Sequence, residues 1–247
     1  MKWLLYCVSN SGDFRQDQPI VGVNDEPVVF LNGLGLLAVV SRFDDSQASF
    51  DVNSMITYHK VVESLFERTT IIPFRYKTLL NSREEILGTF REKNAHFKKL
   101  LASLDGAIEI GIRLVKPKPV VDNKSLYDCL NKGSSNGSNP GKTYLESRKA
   151  FYSTASWIQD QKKEFCQFCM KQFDGLFVDL KSEAARLPEI QNRKDLALIS
   201  VYFLVRKNHS QEFRKKFQEL KDLDLGKVLL SGPWPPYNFV IFVFHPG

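Results

Sequence analysis

Ala107-Ile108-Glu109-Ile110-Gly111-Ile112-Arg113-Leu114-Val115 alternates Ile108, Ile110, Ile112 and Leu114 with Glu109, Gly111 and Arg113. A period of two marks a strand with one face on a core and the other toward water. The residues before it read as a helix. Ser82-Arg83-Glu84-Glu85 is a capping box, in which Ser82 caps the amide of Glu85 and Glu85 reaches back. Ile86, Phe90, Phe97, Leu101 and Leu104 then recur at helical spacing up to Asp105-Gly106. Further back, residues 70–75 form a strand interrupted by Pro73. Asp51 caps a helix running to about Arg68, with Val52, Met55, His59, Val62 and Phe66 expected on its buried stripe. Residues 27–31 and 34–41 flank Asn32-Gly33, a strong hairpin signal because both residues tolerate positive φ. Residues 3–8 open the chain as a buried strand. The resulting order, β-β-β-α-β-α-β, suits helices packed on one face of an antiparallel sheet in the ferredoxin-like manner.

Beyond the alternating strand the pattern breaks. Lys116-Pro117-Lys118-Pro119 stops it, and Gly133-Ser134-Ser135-Asn136-Gly137-Ser138-Asn139-Pro140-Gly141 has the composition of a flexible loop. The expected division is a first domain over 1–117, a linker over 118–141 and a second domain over 142–247. Residues 142–187 contain no proline and only Gly175. As one helix they would span about 69 Å, so a bend or two helices meeting near residues 153–156 is expected. Leu145, Tyr152, Ala155, Ile158, Phe165, Cys169, Phe173, Leu176 and Leu180 share the stripe. Residues 195–206 read as a strand. Asn208 caps a short helix with Phe213, Phe217 and Leu220 inside and Arg214, Lys215 and Lys216 outside. The fold class is therefore α+β: two antiparallel sheets with helices packed on each, ferredoxin-like or a modified form, the second with a long helical segment.

Gly232-Pro233-Trp234-Pro235-Pro236-Tyr237-Asn238-Phe239-Val240 lies between apolar runs at 227–231 and 238–244. Three prolines fix φ and remove three donors, which excludes helix and interior strand. A rigid aromatic turn joining two strands is expected. It either closes the second domain's core or meets a partner.

Composition bounds the function. With 43% hydrophobic and 25% charged residues the chain is globular, not disordered. Residues 239–244 are six apolar residues where a membrane crossing needs about 20, and the first eight residues lack a full signal-peptide pattern. A cytosolic protein without a membrane span is expected. Cys7, Cys129, Cys166 and Cys169 do not form a disulfide framework in a chain of this size. The net charge of +6 comes from 34 basic residues interspersed with 28 acidic ones, unlike the clustered charge of a nucleic-acid binder.

No catalytic, metal or cofactor constellation emerges. Gly137 to Gly141, followed by Lys142-Thr143, is one residue short of a phosphate loop and has no strand leading in. Leu176-Phe177-Val178-Asp179, which could mimic its magnesium-binding strand end, falls in helical periodicity. Cys166-Gln167-Phe168-Cys169 lies inside a helix, without the N-terminal position of a redox pair or a second zinc-ligand pair. His59, His96, His209 and His245 are scattered, and His59 reads as a core histidine. Asp44-Asp45 and Glu84-Glu85 read as loop and helix-start charges. Two stretches stay unabsorbed: the proline turn, and Ile71-Ile72-Pro73-Phe74-Arg75-Tyr76-Lys77-Thr78, an edge strand pinned by Pro73 or a binding element.

Together these two stretches resemble the GvpF/GvpL family of gas vesicle proteins. The resemblance spans nearly the whole chain: an N-terminal strand ending in a turn, a helix whose His59 precedes Ile72-Pro73-Phe74-Arg75-Tyr76, Gly141-x-x-Tyr144-Leu145, and the terminal proline-aromatic turn. The family usually has Gly where this chain has Tyr76-Lys77 before Thr78, so the site differs in shape there. Membership implies a two-domain, non-enzymatic accessory protein without cofactor, located in the gas vesicle shell and otherwise in the cytoplasm. It implies a minor structural role in assembling the gas-filled shell, by binding the small hydrophobic main shell protein GvpA and limiting its aggregation, with other gas vesicle accessory proteins as further partners. The candidate partner-binding residues are Pro73, Phe74, Arg75, Lys77, Trp234 and Tyr237. The alternative is a basic, ferredoxin-like nucleic-acid-binding protein.

Overall fold

A computed structural model describes residues 2–12, 19–44, 52–117, 140–186, 196–221, 223 and 225–240. In chain order these form β1 (Lys2–Asn10), β2 (Val29–Gly33), β3 (Leu36–Phe43), α1 (Val52–Phe66), β4 (Ile72–Pro73), β5 (Leu79–Leu80) and α2 (Arg83–Leu104). Then follow β6 (Ala107–Pro117), α3 (Pro140–Gln172), β7 (Asp179–Arg186), β8 (Leu196–Arg206), α4 (Ser210–Lys221) and β9 (Lys227–Trp234). The result is an α+β protein with two antiparallel sheets on which helices pack. The first sheet has the order β2-β3-β1-β4, with β5 also paired to β1; the second has the order β7-β8-β6-β9.

Compactness divides the chain into two units that are not continuous in sequence. One comprises Met1–Ile110, Leu204–Asn208 and Gly232–Gly247; the other comprises Gly111–Phe203 and His209–Ser231. The division falls within β6, β8 and β9.

In the first unit, β1 is buried from Leu4 to Ser9, so both its faces are covered. It pairs antiparallel with β3, and a bulge between Leu5 and Cys7 turns Tyr6 inward. The hairpin forms as expected, but its tip is displaced by two residues. Asn32-Gly33 ends β2, and Leu34-Gly35 makes the turn, with φ of 56° and 79°. Register decides this, because pairing Gly33 with Leu36 leaves Leu34 and Gly35 as the only loop residues. The cap forms as expected, with Ser82 Oγ accepting from Glu85 N at 3.2 Å, while Glu85 reaches back one residue beyond the cap, its Oε2 accepting from Asn81 N at 2.7 Å. All five expected residues of α2 are buried.

α1 corrects the expected stripe. Tyr58, Val61, Val62 and Leu65 are buried, whereas Val52, Met55 and Ile56 face water and His59 and Phe66 are half-buried. The helix carries two apolar stripes of helical spacing, and periodicity does not rank them. Tyr58 joins Leu4, Tyr6, Cys7, Val39 and Phe43 in the core against β1 and β3.

In the second unit, α3 is one helix of 33 residues running through 153–156 without the expected break. It also stops earlier than expected, at Gln172. Gly175 at φ 77° turns the chain, and Asp179–Arg186 is a strand, so Leu176 and Leu180 leave the helical stripe. Phe173 stacks on Phe213 at 4.2 Å between ring centroids, and both pack against Phe203.

β6 is also corrected. It is hydrogen-bonded in the second sheet between β8 and β9, and Glu109 and Gly111, expected toward water, are buried. A Cβ on Gly111 would lie 2.7 Å from Ser231 Oγ, so any side chain there requires the Ser231 hydroxyl to turn away.

Candidate partner-binding site

The segment after β4 is a short edge that detours. Cys7 and Val8 of β1 pair with Pro73 and Ile72; Trp3 and Leu4 pair with Leu80 and Leu79. Between these pairings, Phe74 N donates to Tyr6 O at 3.0 Å and Leu5 N donates to Thr78 O at 2.9 Å. Arg75-Tyr76-Lys77 is left as a tight turn outside the ladder. Thr78 N and Thr78 Oγ1 both donate to Arg75 O, at 3.1 and 2.8 Å, and close it. Lys77 sits at φ 67°, a left-handed conformation that favours glycine. Proline at position 73 supplies no donor, which suits an edge position.

The C-terminal turn is built differently from expectation. β9 is an edge strand and includes Gly232-Pro233-Trp234, so the first proline lies within a strand end. The Gly232–Pro233 peptide is cis and Gly232 has φ 105°. Tyr237–Phe239 is a 3₁₀ turn held by Phe239 N donating to Pro236 O at 3.1 Å; among the described residues no strand follows it. Asn238 anchors the turn through two hydrogen bonds to one carboxylate, from its backbone N to Glu109 Oε2 at 2.8 Å and from Nδ2 to Glu109 Oε1 at 2.7 Å. Glu109 is 4% exposed, and these two donors satisfy both oxygens of its buried carboxyl group.

The two stretches, more than 150 positions apart, meet at adjacent residues of α1. Tyr76 packs edge-on against Tyr58, with ring centroids 5.3 Å apart. His59 lies 5.4 Å from the Trp234 ring and 6.3 Å from the Tyr237 ring. The Tyr58 hydroxyl reaches Leu5 O at 2.8 Å and Phe74 O at 2.9 Å. Burial pushes the ionisation of Tyr58 well up, and the nearby Tyr237 phenol adds to it; Tyr237 itself is raised chiefly by burial. Tyr237 packs against the core cluster of the first unit. The turn therefore clamps that unit's core, where the sequence pattern suggested the second domain's.

The six candidates separate by burial. Pro73 and Phe74 are buried and Tyr237 is half-buried on the core. Arg75 is exposed, Lys77 is half-exposed with Nζ 6.0 Å from the Tyr76 ring centroid, and Trp234 is 37% exposed. Sequence reasoning missed Tyr58 as the hub, Glu109 as the anchor and the outward face of α1. Only Glu109 carried a signal, the one carboxylate of its strand, set between two isoleucines.

Cys169 is fully buried on α3, which pushes its thiol up to about 12, and Cys166 is half-buried one turn away. Leu176–Asp179 leads into β7, the reverse of a magnesium-binding strand end, and residues 133–139 and His245 lie outside the described residues. Among the described residues no three His, Cys, Asp or Glu side chains gather as a metal set, and no helix is long and apolar enough to cross a membrane.

Fold and site together define an α+β protein whose distinctive feature is an aromatic, proline-braced surface on the first unit. A profile of the family described as gas vesicle synthesis protein GvpL/GvpF matches residues 2–241, and the chain belongs to that family. Two crystal structures share the fold. The gas vesicle protein GvpF from Anabaena sp. PCC7120 is similar with a TM-score of 0.70 at 14% identity, covering 100% of this chain and 98% of that one. GvpF from Microcystis aeruginosa gives 0.67 at 16% identity, covering 98% of this chain and 99% of that one. A search of curated proteins finds no match.

Proposed function

We propose that this chain is a non-enzymatic accessory protein of the gas vesicle that assists assembly of the gas-filled shell. It binds the small hydrophobic main shell protein GvpA, limits its aggregation, and takes other gas vesicle accessory proteins as further partners. It resides with the shell and otherwise in the cytoplasm. The observation that carries this reading is the family match over residues 2–241, seen together with where two of the family's motifs fall. The Pro-Phe-Arg stretch and the proline-aromatic turn converge on Tyr58 and His59. Arg75, Lys77 and Trp234 are the contacting side chains, and Pro73, Phe74 and Tyr237 hold them in place.

Co-expression with the main shell protein tests the reading. Tagged protein is expected to bring the shell subunit down in a soluble complex and to raise its soluble fraction. Failure to associate with either the subunit or assembling vesicles refutes it.

A further inference from the structure

β7 is a terminal strand of the second sheet, with β8 as its one ladder partner among the described residues. Such an edge is a template for one more strand. The side chains of β7 divide by face. Ser182 lines a groove of about 450 Å³ together with Asp160, Lys162 and Lys163 of α3, so the even-numbered residues point toward the helix layer. No described residue of β8, β6 or β9 lines that groove, which places it along the outer side of β7. Glu183 points the other way, where its Oε1 accepts from the Tyr202 hydroxyl. Leu180, Ser182 and Ala184 therefore share the helix face, and Asp179, Lys181 and Glu183 share the opposite one.

The order of the charges indicates which strand fits. Charged side chains on an edge ordinarily deter pairing, but Asp179, Lys181 and Glu183 alternate in sign. Two copies of β7 related by a two-fold axis perpendicular to the sheet run antiparallel, and each residue meets one on its own face. With the axis at Ser182, Lys181 of each copy lies opposite Glu183 of the other, and Leu180 lies opposite Ala184. The overlap then covers residues 179–185 of the strand. An axis at Lys181 or at Glu183 sets that charge against its own copy. An axis at Leu180 overlaps residues 179–181 alone, and one at Ala184 leaves Lys181 outside the ladder. On the helix face, uncharged Leu180, Ser182 and Ala184 of one copy come beside the groove of the other. The α3 flank of that groove carries Asp160 as well as Lys162 and Lys163, and a surface bearing both signs suits contact with itself.

We infer that the outer edge of β7 is a self-association surface: it pairs antiparallel with β7 of a second copy of this chain, about Ser182, and joins the two second sheets edge to edge. Backbone hydrogen bonds supply the attraction, and the two Lys181–Glu183 pairs fix the register.

The test uses the full chain by itself, so its outcome is separate from that of the proposed function. In a Cys129→Ser/Cys166→Ser background, where Cys7 and Cys169 stay buried, Ser182→Cys is expected to form a disulfide-linked dimer on mild oxidation. Residues opposite each other in an antiparallel ladder have Cα atoms about 4.5–5.5 Å apart, within disulfide reach. Leu229→Cys, exposed on the edge strand β9, is expected to stay monomeric under the same conditions. Sedimentation measures the unlinked chain. Lys181→Glu is expected to weaken self-association more than about tenfold, because like charges then oppose each other twice. Lys181→Glu/Glu183→Lys is expected to restore it. Thermal midpoints near that of the unsubstituted chain identify folded variants, and if Lys181→Glu does not fold, Lys181→Gln carries the same comparison. A chain that sediments as a monomer even at about 1 mM overturns the inference. So do equal crosslinks from positions 182 and 229, or a dimer that Lys181→Glu leaves unchanged. A photo-crosslinking side chain at position 182 that joins only to residues 118–139 or 187–195 of its own chain gives the edge another occupant and overturns it as well.

Discussion

Tyr58 illustrates how one side chain can join distant segments. Its hydroxyl has one proton, yet Leu5 O and Phe74 O both lie within 2.9 Å, so the donor is shared between β1 and the residue after β4. Without it the Leu5 carbonyl of β1 and the Phe74 carbonyl just after the two-residue edge strand β4 lose a donor. Tyr58→Phe keeps the ring contacts with Tyr6 and Tyr76 and is expected to cost about 1–3 kcal/mol, read as a lower urea midpoint at unchanged m-value. Lys77 poses the opposite case. A lysine at φ 67° bears a left-handed cost of about 1–2 kcal/mol that glycine avoids at some entropic expense. Lys77→Gly is expected to be neutral or to stabilise by up to about 1 kcal/mol in the same measurement. Loss of shell-protein binding in that variant would give Lys77 a contact role beyond its backbone. Only the φ angle identifies Lys77 as the strained residue of this turn.

At the level of elements, regular periodicity and capping read well, and junctions read poorly. α2 was legible at its two ends and on its buried face because its cap, its stripe and its terminating Asp105-Gly106 agree, although the kink at Lys93 (φ −115°, ψ 17°) left no sign in the pattern. Residues 173–187 were not, because Leu176 and Leu180 fit a helical stripe by chance while a left-handed Gly175 ends the helix. The C-terminal turn depends on a similar backbone feature. Gly232 has φ 105°, and a Cβ there would lie 2.6 Å from the backbone carbonyl of Glu109. Gly232→Ala is therefore expected to cost at least about 2 kcal/mol and to displace Trp234 from His59. Trp234 fluorescence resolves this, in a background where the other two tryptophans are replaced by Phe. An unchanged spectrum together with unchanged stability would show that the turn does not depend on this glycine.

Across the whole molecule, buried ionisable groups set the alkaline limit of the fold. Burial raises the ionisation of Tyr6, Tyr58, Tyr237 and Cys7, and brings Cys169 to about 12. In the unfolded chain these thiols and phenols lose their protons near 9.0 and 10.0, while the folded protein retains them. The unfolded state then binds fewer protons, so stability is fully present below about pH 9 and declines as pH rises toward the folded values. The thermal midpoint is expected to fall steeply between pH 9 and 11 (about 2 pH units above the thiol onset) and to vary little from pH 7 to 8.5 on account of these groups. A midpoint unchanged at pH 11 would mean that the five groups ionise alike in both states. By itself the sequence determined the α+β class, most strands and helices, the Ser82 cap, the absence of a recognisable catalytic motif and the resemblance to a family, because those are carried by local spacing and residue type. Only the tertiary structure decided which stripe of α1 is buried, that β6 lies in the second sheet, and that Tyr76 and Trp234 meet at Tyr58 and His59. Those outcomes depend on which surfaces compete for the same core and on hydrogen bonds such as Asn238 to Glu109, which join residues far apart in the chain and leave no periodic trace in it.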